Sequence, residues 1–291
     1  YSGLKIAFDL SNGMASLYAK EIFGEEPDYI FEDLDGTFPN HEPNPLIPKN
    51  VEPLQALVKE NGSDVGVIYD GDADRVMFVD NEGKFISPDL MIAVLGHYYV
   101  EERGLKGIVL QDIRSSKAVG EYLAPMGCHM ETWKVGRAFA AKKLRELDGV
   151  WGGELAGHYY FKDFFYSDSG LLASMLILRV VASIKKKGLT LSDLIGQIAR
   201  YKNSGEINFR IEDKAGAMEA VKEYFTSAET PTALMDFDGY RVEFPDWWFN
   251  IRPSNTEPYL RFICEATSDE LLEEKVAMTK SLLIERFDAK I

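Results

Sequence analysis

Short apolar runs of strand length alternate with segments of helical period along most of this 291-residue chain, and that alternation restricts it to α/β layering around largely parallel sheets. Strands are predicted over residues 4–9, 65–69, 76–80, 107–111, 129–134 and 150–152. Helical period covers about 12–23, 51–60, 87–102, 118–123, 139–147 and 191–200, with a long apolar helix from about Ser169. Five prolines between Pro39 and Pro53 forbid regular structure locally, so 35–50 is predicted as a loop. A new unit begins near Ser87. A third, of mixed α and β, follows the strictly alternating segment 206–211 and closes with an amphipathic helix over 268–287.

The net charge of −15 argues against a nucleic-acid groove. Cys128 and Cys264 lie too far apart for a CxxC motif; one disulfide remains open, but a disulfide-rich secreted scaffold is excluded. The most apolar stretch, 170–184, is broken by Arg179 and followed by Lys185, Lys186 and Lys187, so it falls short of the ~20 apolar residues of a membrane span. No targeting segment precedes the first strand, and the residue at its head is Tyr1, so the chain is expected to begin inside a longer, cytoplasmic protein.

Three local patterns carry chemistry. Asp70, Asp72 and Asp74 alternate in DGDADR directly after a strand, and three like charges so close call for a counter-cation; hard oxygen ligands favour Mg²⁺ or Ca²⁺. An EF-hand is excluded because Arg75 and Asn81 occupy the positions that require Gly and Glu. A solvated acidic turn is the plain alternative. In GGELAGH, glycines surround Glu154, suited to sugar hydroxyls, and His158, suited to proton transfer near neutral pH; a structural histidine is the alternative there, as for His41, His97 and His129. In RPSNTEP, Arg252, Ser254, Asn255 and Thr256, with Arg261 beyond, form a donor-rich patch suited to phosphate. Its alternative is a helix cap at Ser254 or Asn255 flanked by surface arginines.

Taken in this order, the three motifs resemble those of the α-D-phosphohexomutase superfamily, most closely its phosphomannomutase/phosphoglucomutase branch, and the resemblance covers essentially the whole chain. LKIAFDLSNGMAS and FPNHEPNPL are similar to stretches of that family's second domain. The resemblance implies two three-layer α/β domains with mixed sheets, over 1–86 and 87–203, followed by a smaller α+β C-terminal domain over 204–291. It implies that Asp70, Asp72 and Asp74 hold Mg²⁺ and that Arg75 stands beside the reacting phosphate. Glu154 would contact sugar hydroxyls, His158 would act as general acid or base, and Arg252, Ser254, Asn255, Thr256 and Arg261 would grip the distal phosphate. Arg114 and Arg137 are carried over as substrate contacts. Hexose phosphates are the implied partners, and neither nucleic acid nor membrane is.

Two departures stand out. The family usually has Ser two residues after its sugar-loop Glu, where this chain has Ala156, so one sugar hydrogen bond worth on the order of 1 kcal/mol is absent. No T-A/S-S-H-N-P string, the family's phosphoserine loop, occurs anywhere. The chain is therefore expected to be the last three of four domains, to bind metal weakly and to turn over nothing without the missing N-terminal domain. Two other readings are weighed beside it: a non-catalytic sugar-phosphate-binding module, and a haloacid dehalogenase-type phosphatase, whose nucleophile is also an Asp after a strand.

Overall fold

Alternation in the strand Val65–Tyr69 decides the layering of the first half. Val65, Val67 and Tyr69 enter one apolar cluster while Ile68 enters another on the opposite face, the period-two signature of a strand buried on both sides. The computed structural model describes residues 1, 3–254 and 257–291, in two compact units, Tyr1–Ile198 and Ala199–Ile291.

The first unit contains two five-stranded mixed sheets. One has the order Asp28–Ile30, Ile6–Asp9, Val65–Tyr69, Val76–Asp80, Phe85–Ile86, parallel across its first three strands and antiparallel beyond. The helix Pro48–Asn61 covers its outer face through Val51, Leu54 and Val58. Gly66 permits that approach, since a Cβ there would lie 2.8 Å from Val58. The other sheet has the order Ser167–Asp168, Tyr159–Phe161, Trp151–Gly153, Ile108–Asp112, His129–Trp133, with Ile108–Asp112 parallel to both neighbours. The helix Arg137–Glu146 covers it through Ala140 and Leu144.

Between the sheets run the helices Leu90–Gly96 and Gly170–Lys186, and a single core joins Phe8 and Val67 of one sheet to Val109 and Trp151 of the other through Ile92, Ile177 and Val181. The Trp151 indole N–H donates to the Ile92 carbonyl at 3.0 Å. The middle layer is shared, so the boundary near Ser87 separates two sheets but not two cores.

The second unit is an antiparallel sheet in the order Lys202–Asn203, Tyr259–Ala266, Trp247–Pro253, Tyr240–Glu243, Ala233–Met235, with Ile207–Arg210 also paired to Tyr259–Ala266. The helices Lys214–Ala228 and Asp269–Phe287 pack Val221, Phe225 and Leu283 against Phe249, Ile251 and Phe262. Ser268 caps the last helix by accepting from the Leu271 N–H, close to where the sequence places its start.

Several local expectations are corrected. The predicted 12–23 helix is a 3₁₀ turn, Met14–Leu17, followed by a short helix, Ala19–Phe23. The 87–102 helix begins at Leu90 and passes into a π-helical segment, His97–Glu102. Pro48 opens a helix instead of prolonging the loop, because a proline at the first turn gives up no hydrogen bond. Asp28–Ile30, Tyr159–Phe161 and Ser167–Asp168 were not expected, being too short for alternation to register. Both cysteines are buried and free, so the disulfide left open by the sequence does not form. No helix among the described residues is long and apolar enough to cross a membrane.

Candidate active site

Open α/β sheets bind ligands beyond the carboxyl ends of their parallel strands. Asp70 follows Val65–Tyr69, Asp112 ends Ile108–Asp112 and Glu154 follows Trp151–Gly153, so the first two motifs sit at those ends.

Asp70 is buried, Asp74 half-buried and Asp72 exposed, and each offers a carboxylate oxygen within 4.8 Å of the others. Ala73, at φ 63°, turns the loop through a left-handed conformation that costs a non-glycine residue on the order of 1 kcal/mol. Neighbouring backbones press on it from two sides. A Cβ at Gly13 would come within 2.7 Å of the Gly71 carbonyl, which accepts from the Met14 N–H at 2.9 Å, and a Cβ at Gly170 would come within 2.7 Å of the Ala73 carbonyl. Arg75 Nε donates to Asp70 Oδ2 at 2.7 Å, so the arginine is tied to the carboxylate cluster. Burial nevertheless pushes the Asp70 carboxyl up to about 6, against the pull of Arg75. An all-carboxylate set of hard oxygens fits Mg²⁺.

The sugar-loop motif faces this cluster. Its turn closes through the Gly157 N–H to the Glu154 carbonyl at 3.0 Å, and the Gly157 carbonyl accepts from the Val76 N–H at 3.1 Å, which links it directly to the strand after the acidic loop. Gly157 is required there: φ is 89°, and a Cβ would meet Met77 at 2.9 Å. Buried Glu154 accepts from Tyr160 Oη at 2.6 Å and from the Gly136 N–H at 3.2 Å; burial and then the nearby Asp112 charge raise its carboxyl. Half-buried Ala156 occupies the turn itself. Arg114 is buried with its guanidinium forked onto Asp112, whose Oδ2 also accepts from the Leu155 N–H at 2.8 Å. This arginine therefore braces the loop from beneath.

His158 Nδ1 lies 2.8 Å from Asp168 Oδ2 and 3.8 Å from Asp74 Oδ1. Burial opposes a charge on the ring, but the Asp168 hydrogen bond and the Glu154, Asp74 and Asp168 charges outweigh it and hold the imidazole above its ordinary range. Arg137, largely exposed, places Nε 2.7 Å from Asp168 Oδ1 and a terminal nitrogen 3.5 Å from Asp74. Asp168 thus joins His158 and Arg137. Sequence reasoning missed it: it lies ten residues past His158 in a two-residue strand that carries no motif, and only its pairing with Tyr160 brings it beside the ring.

In the second unit, the strands Trp247–Pro253 and Tyr259–Ala266 pair Arg252 directly opposite Arg261. Ser254 follows a strand, not a helix start, and Arg252 is 2% exposed, so the alternative of a helix cap with surface arginines is set aside; Asn255 and Thr256 lie outside the described residues. Like charges facing each other across a ladder repel and call for anions. Asp238 meets Arg252 Nε at 3.1 Å, and Glu206 meets Arg261 at 2.9 Å, while a buried terminal nitrogen of Arg252 and Nε of Arg261 have no hydrogen-bond partner among the described residues. Gly239 makes room, since a Cβ there would lie 2.6 Å from Arg252 Cβ.

The fold and these loops define a phosphohexomutase scaffold. Profiles of phosphoglucomutase/phosphomannomutase match in three consecutive parts: α/β/α domain II over 1–83, α/β/α domain III over 87–201 and the C-terminal domain over 206–281. The chain is 37% identical over 293 residues to a phosphomannomutase of Methanocaldococcus jannaschii, covering 100% of this chain and 63% of that protein. It is 35% identical over 285 residues to phosphohexose mutases of Xanthomonas campestris, covering 96% and 62%. A crystal structure of a phosphoglucomutase/phosphomannomutase family protein from Burkholderia thailandensis superposes with a TM-score of 0.84 at 28% identity, covering 97% of this chain and 60% of that one. The chain belongs to the phosphoglucomutase/phosphomannomutase family, and it spans just over three fifths of the length of these curated relatives. That membership removes the haloacid dehalogenase reading.

Proposed function

We propose that this chain is the metal-, sugar- and phosphate-binding part of a phosphohexomutase, an intramolecular phosphotransferase that interconverts hexose 1-phosphate and 6-phosphate through a bisphosphate. Its family domains take the bounds 1–86, 87–203 and 204–291. The observation that carries the reading is the meeting of two motifs far apart in sequence, with His158 3.8 Å from Asp74 and Gly157 bonded to Val76. In this reading the phosphoserine comes from a further domain of the same protein. A cytoplasmic location fits this substrate class.

Asp70, Asp72 and Asp74 would hold Mg²⁺, which would supply positive charge against the phosphoryl group. Glu154, held between Tyr160 and Gly136, accepts hydrogen bonds from sugar hydroxyls and fixes the ring. His158 keeps a proton on Nδ1 toward Asp168 and uses Nε2 to take up or return the proton of the reacting hydroxyl. Arg75 and Arg137 lie at the acidic loop and draw the reacting phosphate toward it, and Arg114 acts beneath the sugar loop. Arg252, Ser254, Asn255, Thr256 and Arg261 hold the distal phosphate. Two opposed arginines form no fixed fork for one carboxylate or phosphate, which suits a site that receives the sugar phosphate in two orientations.

Calorimetric titration of the chain with glucose 1,6-bisphosphate in Mg²⁺ tests this reading. Arg252→Ala is expected to weaken binding at least tenfold, as loss of a charge-assisted hydrogen bond worth about 1.5–3 kcal/mol requires. Equal binding by both chains, or none by the native one, would sink the assignment. In the same titration Ala156→Ser is expected to tighten binding by roughly fivefold, the equivalent of about one hydrogen bond of 1 kcal/mol. An unchanged constant would show that the turn does not address the sugar.

A further inference from the structure

His41 lies in the proline-rich loop, outside all three motifs, yet its side chain is only 6% exposed. Both ring nitrogens face acceptors. Nε2 is 3.1 Å from Asp9 Oδ2 and 3.3 Å from Oδ1, and Nδ1 is 2.8 Å from the Glu42 carbonyl oxygen. The Asp9 carboxylate, wholly buried at the end of the strand Ile6–Asp9, also accepts from the Ser11 N–H at 2.8 Å. A carbonyl cannot donate, so Nδ1 carries a proton, and with Asp9 ionised Nε2 carries the second; burial pushes the Asp9 carboxyl up, against its bonds to His41 and Ser11. Phe31 meets the ring edge-on with centroids 5.3 Å apart. Among these neighbours Asp9 is the charged group.

The pair sits behind the acidic loop. Phe38 and Pro43, from the same proline-rich segment, flank Gly71, where a Cβ would lie 3.5 and 3.3 Å from them. The Asn40 amide donates to Asn12 Oδ1 at 2.8 Å, and Ser11 Oγ donates to the Tyr69 carbonyl at 2.6 Å. Ser11, Asn12, Phe31 and Phe38 all hold left-handed φ values, between 51° and 52°. Such conformations persist only where the surroundings over-determine them. Here two strained segments are tied to each other and to the loop that carries Asp70.

We propose that the His41 imidazolium and the Asp9 carboxylate form a buried charged latch that seats the proline-rich loop against the acidic loop, making both residues positioning residues for Mg²⁺. The proposal rests on the reading of Asp70, Asp72 and Asp74 as metal ligands. Burial opposes the charge on His41, but its bonds to Asp9 and Glu42 outweigh that and hold its pKa above the ordinary histidine value. A group raised in this way contributes fully below its ordinary titration and loses its contribution as pH rises through the raised value. The latch is therefore charged in acid and released in alkali, the opposite sense to a metal ligand that gains affinity on losing a proton.

The test combines ring spectroscopy with metal titration of the native chain and of the double variant Asp9→Asn/His41→Gln, which keeps an amide pair without charge. Nitrogen NMR, with the His41 signal assigned by its absence from the variant, is expected to show both ring nitrogens protonated at pH 6.5 and to locate the pH of deprotonation. Mg²⁺ calorimetry on either side of that pH is expected to show the native affinity falling about tenfold on the alkaline side, the scale of an outer-shell contact, while the variant does not fall. A neutral ring at pH 6.5 overturns the latch, and so does an imidazolium whose titration leaves Mg²⁺ affinity unmoved. A native chain that binds no Mg²⁺ at all overturns the metal reading itself, and the latch's role with it.

Discussion

Replacing Asp72 with Asn is expected to weaken Mg²⁺ binding by at least the roughly 10–100-fold that outer-shell contacts alone command, because it removes a whole carboxylate charge from the ion's surroundings. Asp72 is the exposed member of the three, so its loss should leave stability within about 0.5 kcal/mol, the usual range for surface substitutions. Affinity and stability thus separate in one variant, which the equivalent change at buried Asp70, tied to Arg75, would not achieve. Because burial raises the Asp70 carboxyl to about 6, native Mg²⁺ affinity should also fall as pH drops through that value, proton and metal competing for the same oxygens. Calorimetry at pH 7 and pH 5 reads both effects. Unchanged affinity in Asp72→Asn would show that the loop is an acidic turn and nothing more.

The second large effect is expected at Asp168. Its side chain is fully buried between His158 and Arg137, so Asp168→Asn removes a shared carboxylate from two cations and should cost about 3 kcal/mol, the lower end for breaking a buried pair. Burial alone would raise the Asp168 carboxyl, but the His158 hydrogen bond and the charges of His158 and Arg137 outweigh it and hold it below the ordinary range. A depressed carboxyl stabilises above its unfolded value and loses that stabilisation as pH falls through the folded one. The variant's deficit should therefore be largest near neutrality and shrink in acid. Urea unfolding at neutral and acidic pH measures it, and a deficit independent of pH would assign the loss to packing. In a protein that also carries the serine domain, turnover should fall by roughly 10²–10⁴-fold, the worth of a positioned general acid or base, since His158 would lose the partner that fixes its tautomer.

What the sequence disclosed and what it hid divide along a physical line. DGDADR and GGELAGH are contiguous because each lies where a strand ends and turns, and the chemistry of such a turn is local. The order of strands and helices was readable for a related reason, since burial on both faces of Val65–Tyr69 writes itself into consecutive apolar residues. Partners that arrive from elsewhere left no such trace. Asp168 reaches His158 through a hairpin, Asp9 reaches His41 across thirty-two positions, and Gly239 gives Arg252 its room from the bend before the strand Tyr240–Glu243. Arg114 shows the converse. Its motif suggested a group that touches substrate, and the sequence carried no sign that its guanidinium forks onto Asp112, which also accepts from Leu155.

The helices Leu90–Gly96 and Gly170–Lys186 serve as the inner wall of both sheets at once. A wall with two owners ties the two sheets together, so the Asp74–His158 spacing belongs to one compact unit. Substitutions in that shared wall are therefore expected to reach both sheets at once and to register as changes in stability of the whole unit.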